Sequence, residues 1–425
     1  MSKKHSKGFT TQKLFLVFSC FCVLTICTSS DAQDRWYKGN LHTHTFWSDG
    51  SEFPEYVVNW YKESGYNFLV LTDHNTIHVN ERWRAFAIQN QIYTSYVNSH
   101  APGWADIKPI PDQEDSVMVR LQTFSELSTF YNSPGQFLLM EGNEITCPHR
   151  VHLVAIHQDK LLGAPKGSEA ERTRMINEVV RKTADYRNET GRNNWPILAH
   201  PNHGWAITAE MILEVPDLRF FEVYNGIVNN DGDEYRASTE RIWDIVLSYR
   251  LTKQDGELLY GIAADDAHSY HGASSGPGKG WIMVQTEKLS HENILEALDK
   301  GDFYASTGVK LKSVRFNGKT LRIEIDAEEG VDYLTEYIGT KRGIDITGNP
   351  TMDGDGNEII NTTKTYNSGI GVVLFNSSKI KSSYTFSGEE LYVRVRITSS
   401  NDQIDPVTGK ILGKQKVWVQ PHIQK

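Results

Sequence analysis

Cysteine is nearly missing from this chain. Of 425 residues four are cysteine, and Cys20, Cys22 and Cys27 fall in one short N-terminal segment, which leaves Cys147 alone downstream. An intramolecular disulfide in that remainder is excluded, so stability has to come from core packing and from any bound metal. An excess of basic charge is also missing: 44 Lys and Arg stand against 53 Asp and Glu, for a formal charge of −9. No basic stripe is available to follow a phosphate backbone, which argues against nucleic acid as a partner. There is no internal repeat and no low-complexity tract. The 39% hydrophobic content is that of an ordinary globular protein able to bury a core.

One apolar run, 14–27, follows Lys3, Lys4, Lys7 and Lys13 and ends at Ser30-Asp31-Ala32. It is short for a transmembrane helix. A positive end, a short apolar stretch and a small-residue exit predict a secretory signal peptide over 1–32. Ile26 stands where a lipoprotein needs a small residue before Cys27, so a lipid anchor is the weaker reading. Cleavage removes four Lys and one Asp, taking the formal charge from −9 to −12. The expectation is an exported, periplasmic or secreted protein, with no stable membrane insertion after cleavage. Its oligomeric state is not legible.

From residue 36 to 308, apolar strand-like runs (39–42, 68–71, 137–140, 152–156, 196–199, 220–224, 259–263, 281–284) alternate with amphipathic stretches such as 116–130, 170–186 and 234–247. That alternation predicts an α/β domain with a parallel sheet over 33–308. Polar clusters at many strand ends favour a barrel, whose loop face gathers such residues. The stretch 84–115, rich in Trp, Tyr, Asn and Pro, reads as an insertion near the mouth. After Gly308 short alternating strands separated by Gly, Asn and Asp predict a small all-β, sandwich-like domain over 309–425. Within it, Thr-Met-Asp-Gly-Asp-Gly-Asn at 351–357 resembles part of a calcium loop. It lacks the flanking helices and closing Glu, so it reads as a polar turn.

The chemistry lies in the strand-end clusters. In Asn40-Leu41-His42-Thr43-His44, alternate residues point to one side of an extended chain, so His42 and His44 can share a metal. Ser48-Asp49-Gly50 adds a carboxylate in a tight turn. Leu71-Thr72-Asp73-His74-Asn75, Glu141-Gly142-Asn143-Glu144, His152, Leu198-Ala199-His200-Pro201 and Ala264-Asp265-Asp266-Ala267-His268 follow. Imidazole and carboxylate at open positions suit zinc, manganese or iron. A glutamate can bridge two ions.

In this order the segments resemble the PHP (polymerase and histidinol phosphatase) family over residues 36–308. Gly301-Asp302-Phe303-Tyr304-Ala305-Ser306-Thr307-Gly308, leading into a β-rich tail, is similar to the exported CehA/McbA-type metallohydrolase branch. The resemblance implies a distorted (β/α)7 barrel and two or three divalent ions (Zn, Mn or Fe). It implies that His42, His44, Glu144 and Asp266 hold one ion, that Glu144, His152 and His200 hold a second, and that Asp49, His74 and His268 hold a third. Asp49 stands where some members have histidine. His152 is preferred to His157, which falls on the other side of the strand, and Asp266 to Asp265. Asp73, as an orienting hydrogen-bond partner, and His203, as a substrate contact, are the remaining catalytic candidates. His78, His149 and His271 lie beside the motifs. Asn225-Gly226 and Lys279 read as turn residues rather than as contacts to an anion.

The implied activity is hydrolysis of a small or oligomeric anionic phosphoester by a metal-bridging hydroxide. The carbaryl-hydrolase-like resemblance raises a carbamate, amide or carboxylic ester as the alternative. A third reading, a glycan- or surface-binding protein with a structural metal site, sits poorly with ligands spread over so many strands.

Overall fold

The computed structural model describes residues 1, 2, 35–99, 104–253 and 256–424. The expected signal peptide and Cys27 lie outside the described residues, apart from the first two positions. Among the described residues no helix is long and apolar enough to cross a membrane.

The apolar runs of 34–425 become strands of one large mixed sheet. Its order is Tyr260–Ala264, Phe220–Asn225, Trp195–Leu198, Val151–Ile156, Leu138–Cys147, Phe68–Leu71, Arg35–Asn40, Trp281–Thr286, Phe303–Ser306, Ile411–His422, Glu390–Ile404, Tyr333–Lys341 and Val372–Ser377. Arg35–Asn40, Phe68–Leu71 and Leu138–Cys147 run parallel, as do Trp195–Leu198, Phe220–Asn225 and Tyr260–Ala264. Between these two sets Val151–Ile156 is antiparallel to both neighbours. The cause is local: only Pro148–Arg150 separates Leu138–Cys147 from Val151–Ile156. A parallel return needs a crossover of a dozen residues or more.

Phe68–Leu71 and Tyr260–Ala264 are buried throughout, as strands covered on both faces should be. Beyond their ends the first and last strands of this region meet. Thr43 and Ala267 form an isolated parallel bridge, His44 N donates to Ala267 O at 2.9 Å, and Asp266 N donates to His42 O at 3.1 Å. Parallel direction thus delivers the polar ends of several strands to one face.

One expectation is corrected. The stretch 116–130 is not one helix: Gln113–Leu121 is a strand and Phe124–Tyr131 a helix with a Thr123/Glu126 capping box. Val117 and Val119 are β-branched, and pairing with Arg82–Ala87 overrides the helical spacing. The insertion read over 84–115 carries regular structure on both sides of residues 100–103. Arg82–Ala87, Gln113–Leu121 and Ile107–Ile110 form a small sheet that carries the helix Gln91–Ser99.

The C-terminal region is β-rich. Leu311–Phe316, Thr320–Ile325 and Lys381–Thr385 form a separate three-stranded sheet. Its Leu321, Ile323 and Ile325 share a buried cluster with Val393, Val395, Ile397 and Val419 of the large sheet. Ile411–His422 pairs with Phe303–Ser306, so the large sheet runs unbroken past residue 308. At 351–357 the chain makes a turn in which Asp353 accepts backbone N–H groups of Asp355 and Asn357.

Candidate metal centre

Five separate strand ends converge on Glu144, a fully buried carboxylate within Leu138–Cys147. Its backbone is fixed by the neighbouring strand end: Glu144 N donates to Thr72 O, and Asn75 N donates to Glu144 O. Its two oxygens face different imidazoles. Oε2 lies 3.4 Å from His42 Nε2, 3.5 Å from His44 Nε2 and 2.7 Å from His74 Nδ1. Oε1 lies 2.9 Å from His152 Nδ1 and 3.1 Å from His200 Nε2. Asp266 Oδ1 completes the first group at 3.2 Å from both His42 Nε2 and His44 Nε2.

These separations fit a metal. Four donors about 2.1 Å from a tetrahedral ion lie about 3.4 Å from one another. His42 Nε2 and His44 Nε2 are buried with no hydrogen-bond partner, a costly arrangement unless a cation sits among them. A second cluster forms around Asp49, whose Oδ1 lies 3.4 Å from His268 Nε2, 3.5 Å from His74 Nε2 and 3.9 Å from His44 Nδ1. Gly50 allows this turn to close. A Cβ there would stand 2.5 Å from Thr45 N and 2.6 Å from His44 C. The structure therefore brings together His42, His44, Asp49, His74, Glu144, His152, His200, Asp266 and His268. His200 (φ 28°) and Asp266 (φ 52°) occupy left-handed backbone, strain that the surrounding packing holds in place.

The charge balance points the same way. Burial pushes Glu144 and Asp266 up, yet the imidazoles around them hold both well below the usual carboxylate range. Burial opposes protonation of His42, but Asp266, Glu222 and Glu144 raise it well above its ordinary value. His74, against the same opposition, is raised to about 10 by Asp49 and Glu144. His44 moves the other way: burial lowers it against the hydrogen bond to Asp266, with His268 and His42 adding. The site is a carboxylate-rich interior that calls for positive charge.

Asp73 is not brought into this cluster. Its carboxylate is buried behind it, accepting from Thr45 N at 2.8 Å, Thr45 Oγ1 at 2.9 Å, Ser48 Oγ at 2.5 Å and His78 Nε2 at 2.7 Å. It fixes the segment between His44 and Asp49. His203 lies beside the cluster, its ring 5.0 Å from that of His200 and 6.4 Å from that of His152. Burial, with His200 and Arg150 adding, lowers it to about 4. His157 is elsewhere, donating to Asn193 O and stacked on His291. Asp265 is also turned away and accepts from the backbone N–H of Gly278, Lys279 and Gly280.

Sequence reasoning missed Glu222. It is buried in the strand Phe220–Asn225, accepts from His42 Nδ1 at 2.7 Å and accepts from His200 N at 2.7 Å. The available signal was a lone carboxylate in an otherwise apolar buried strand, which requires a partner. Asn225, read as a turn residue, donates to Glu222 Oε2 at 2.7 Å and to Asp266 Oδ2 at 3.1 Å.

No protein-family model matches this chain, and no curated protein matches it by sequence. Among solved structures, it is similar to a two-domain protein containing a predicted PHP-like metal-dependent phosphoesterase from Bacteroides vulgatus. Identity is 15%, coverage is 91% of this chain and 95% of that one, and the TM-score is 0.40. It is also similar to a lesion-specific endonuclease from Pyrococcus furiosus, at 15% identity, 63% and 56% coverage and a TM-score of 0.32. An amidohydrolase from Chromobacterium violaceum matches at 13% identity, 54% and 87% coverage and a TM-score of 0.28.

Proposed function

We propose that this chain is a metal-dependent hydrolase of the PHP type, in the exported CehA/McbA-type branch, and that it cleaves a phosphoester. The observation that carries the reading is the division of labour at Glu144, with one oxygen among His42, His44 and His74 and the other between His152 and His200. A carboxylate so placed is suited to bridge two ions. In this reading the seven strands from Arg35–Asn40 to Tyr260–Ala264 act as a distorted (β/α)7 barrel, closed at the Thr43–Ala267 bridge.

His42, His44, Asp266 and Glu144 would hold one ion, Glu144, His152 and His200 a second, and Asp49, His74 and His268 a third. Bound zinc, manganese or iron would supply Lewis acidity and bring the pKa of water towards 7. The protein's own groups prepare that site. Glu222 accepts a hydrogen bond from His42 Nδ1 and so turns Nε2 towards the cluster. Asp73 keeps the Thr45–Ser48 backbone, and with it Asp49, in register. His203 remains neutral near pH 7 and can accept a hydrogen bond from substrate beside His152 and His200. No side-chain nucleophile is required.

The test is a panel of phosphomonoesters and diesters with metal-replete protein. Turnover that His42→Ala abolishes supports the reading. No such turnover refutes the phosphoester assignment. Naphthol released from an aryl carbamate, without phosphate released from an aryl phosphate, would move the assignment to carbamate, amide or ester hydrolysis.

A further inference from the structure

The C-terminal three-stranded sheet presents a cationic groove that the metal centre does not use. In Thr320–Ile325 the side chains alternate, so burial of Leu321, Ile323 and Ile325 leaves Arg322 and Glu324 on the opposite face. Register then builds two rows across the sheet. Arg315 pairs with Arg322 and Arg322 with Ser383, while Glu324 pairs with Lys381. Directly opposed residues hold their Cβ atoms about 5 Å apart, where like charges destabilise a sheet.

Some exposed arginines have carboxylate partners, as Arg174 does with Glu171 and Glu178. Among the described residues neither the Arg315 nor the Arg322 guanidinium has an ion-pair or side-chain hydrogen-bond partner. Glu324 cannot neutralise them freely, because Lys381 Nζ holds it at 3.1 Å. Both guanidinium groups line a groove of about 830 Å³, joined by Lys379, Asn376 and the exposed ring of Phe375 from the neighbouring strand and loop. The volume is that of a ligand site. Four cations and one acid line it, in a chain whose formal charge is −9.

We propose that this groove binds an acidic oligosaccharide, one carrying carboxylate or sulfate groups spaced by neutral hydroxyls. Two adjacent guanidinium forks suit a single planar or tetrahedral oxyanion, which would turn the repulsion between Arg315 and Arg322 into shared attraction. Asn376, Ser377 and Ser383 offer the mixed donors and acceptors that sugar hydroxyls require. Phe375 supplies one apolar face, enough for a pyranose ring. A nucleic acid fits less well. A single exposed aromatic provides no succession of stacking platforms, and the acidic chain repels a long polyanion.

The test uses the full chain and titration calorimetry at moderate salt. The probes are a galacturonate tetramer, a chondroitin sulfate tetramer, neutral xylotetraose and a short single-stranded DNA. Arg315→Gln and Arg322→Gln are compared with wild type; both side chains are exposed, and unchanged thermal unfolding verifies the fold. The proposal expects saturable binding of at least one acidic tetramer, weakened about tenfold by either substitution, with the preferred tetramer naming the carboxylate or the sulfate as source. It expects no comparable binding of xylotetraose or DNA. Equal binding of acidic and neutral sugars, binding of DNA at least as tight, binding insensitive to both substitutions, or no binding of either acidic tetramer would each overturn it. Hydrolytic activity is not a readout here, so the outcome is independent of the assignment of the metal centre.

Discussion

Asp405, near the tip of the C-terminal hairpin, places Oδ2 3.8 Å from the buried ammonium of Lys279. Lys279 Nζ also donates to Gly226 O at 2.9 Å and to Ser274 O. Gln403 Nε2 donates to Lys279 O at 2.9 Å. The hairpin presses on glycines: a Cβ at Gly276 would stand 2.6 Å from Val407 Cγ2, and one at Gly278 would stand 2.8 Å from Pro406 Cγ. Ser275 O, in the same loop, accepts from His268 N at 2.8 Å. The tail therefore braces the loop against which the His268 backbone is tied. Asp405→Asn leaves a buried ammonium without its countercharge and should cost about 3 kcal/mol in denaturant unfolding. Lys279→Met combined with Asp405→Leu should recover most of that loss. An unaltered denaturation midpoint in Asp405→Asn would show that the pair does not brace the loop.

Glu222 fixes the tautomer of His42 and reaches the backbone of His200. Glu222→Gln keeps the shape but weakens the hold on the Nδ1 proton. Metal affinity, measured by competition with a chelator, should fall about 10- to 100-fold with little change in secondary structure. Wild-type affinity in this variant would remove Glu222 from the account.

A pH dependence follows from Glu240 on the helix Thr239–Lys253. Arg394 contacts it at 2.9 Å and Arg396 at 3.2 Å. Burial pushes the Glu240 carboxyl up, but the two guanidinium groups prevail and hold it at about 2, against an ordinary 4.5. A lowered folded value adds stability above the unfolded value and loses it as pH falls from 4.5 to about 2. The contribution is about 3 kcal/mol at neutral pH. Metal-free wild type should lose more stability than Glu240→Gln when urea unfolding is compared at pH 7 and about pH 3. Parallel losses would contradict the assignment.

Chelation should destabilise the fold. Without cations, Glu144 and Asp266 remain as buried carboxylates supported by imidazoles and, at Asp266, by the Asn225 amide. Free metal at a hundred times its dissociation constant adds about 2.7 kcal/mol. The melting temperature should drop on dialysis against a chelator and recover on adding back zinc or manganese. A melting curve indifferent to both treatments would count against a bound-metal interior.

The clustering of these side chains was legible because His42, His74, His200, Asp266 and their neighbours interrupt apolar runs at strand ends, where local sequence reports position directly. Glu222 was not, because a single acid inside Phe220–Asn225 leaves the strand pattern intact while its partners come from remote segments. Asp73 was read as an orienting hydrogen-bond partner, and only the tertiary arrangement shows that the segment it holds is Thr45–Ser48. The antiparallel hairpin at Val151–Ile156 was hidden because the apolar run 137–140 does not show that its strand continues to Cys147, and the union of Phe303–Ser306 with Ile411–His422 joins strands too distant for any local pattern to reveal.

The central claim is that Glu144 serves two ions at once. Elemental analysis of metal per chain in Glu144→Ala, set beside wild type and His152→Ala, tests it most directly. The account predicts at least two ions in wild type, the loss of both Glu144-linked ions in Glu144→Ala, and the loss of one in His152→Ala. Metal content in Glu144→Ala equal to wild type, or a loss no greater than in His152→Ala, would contradict it.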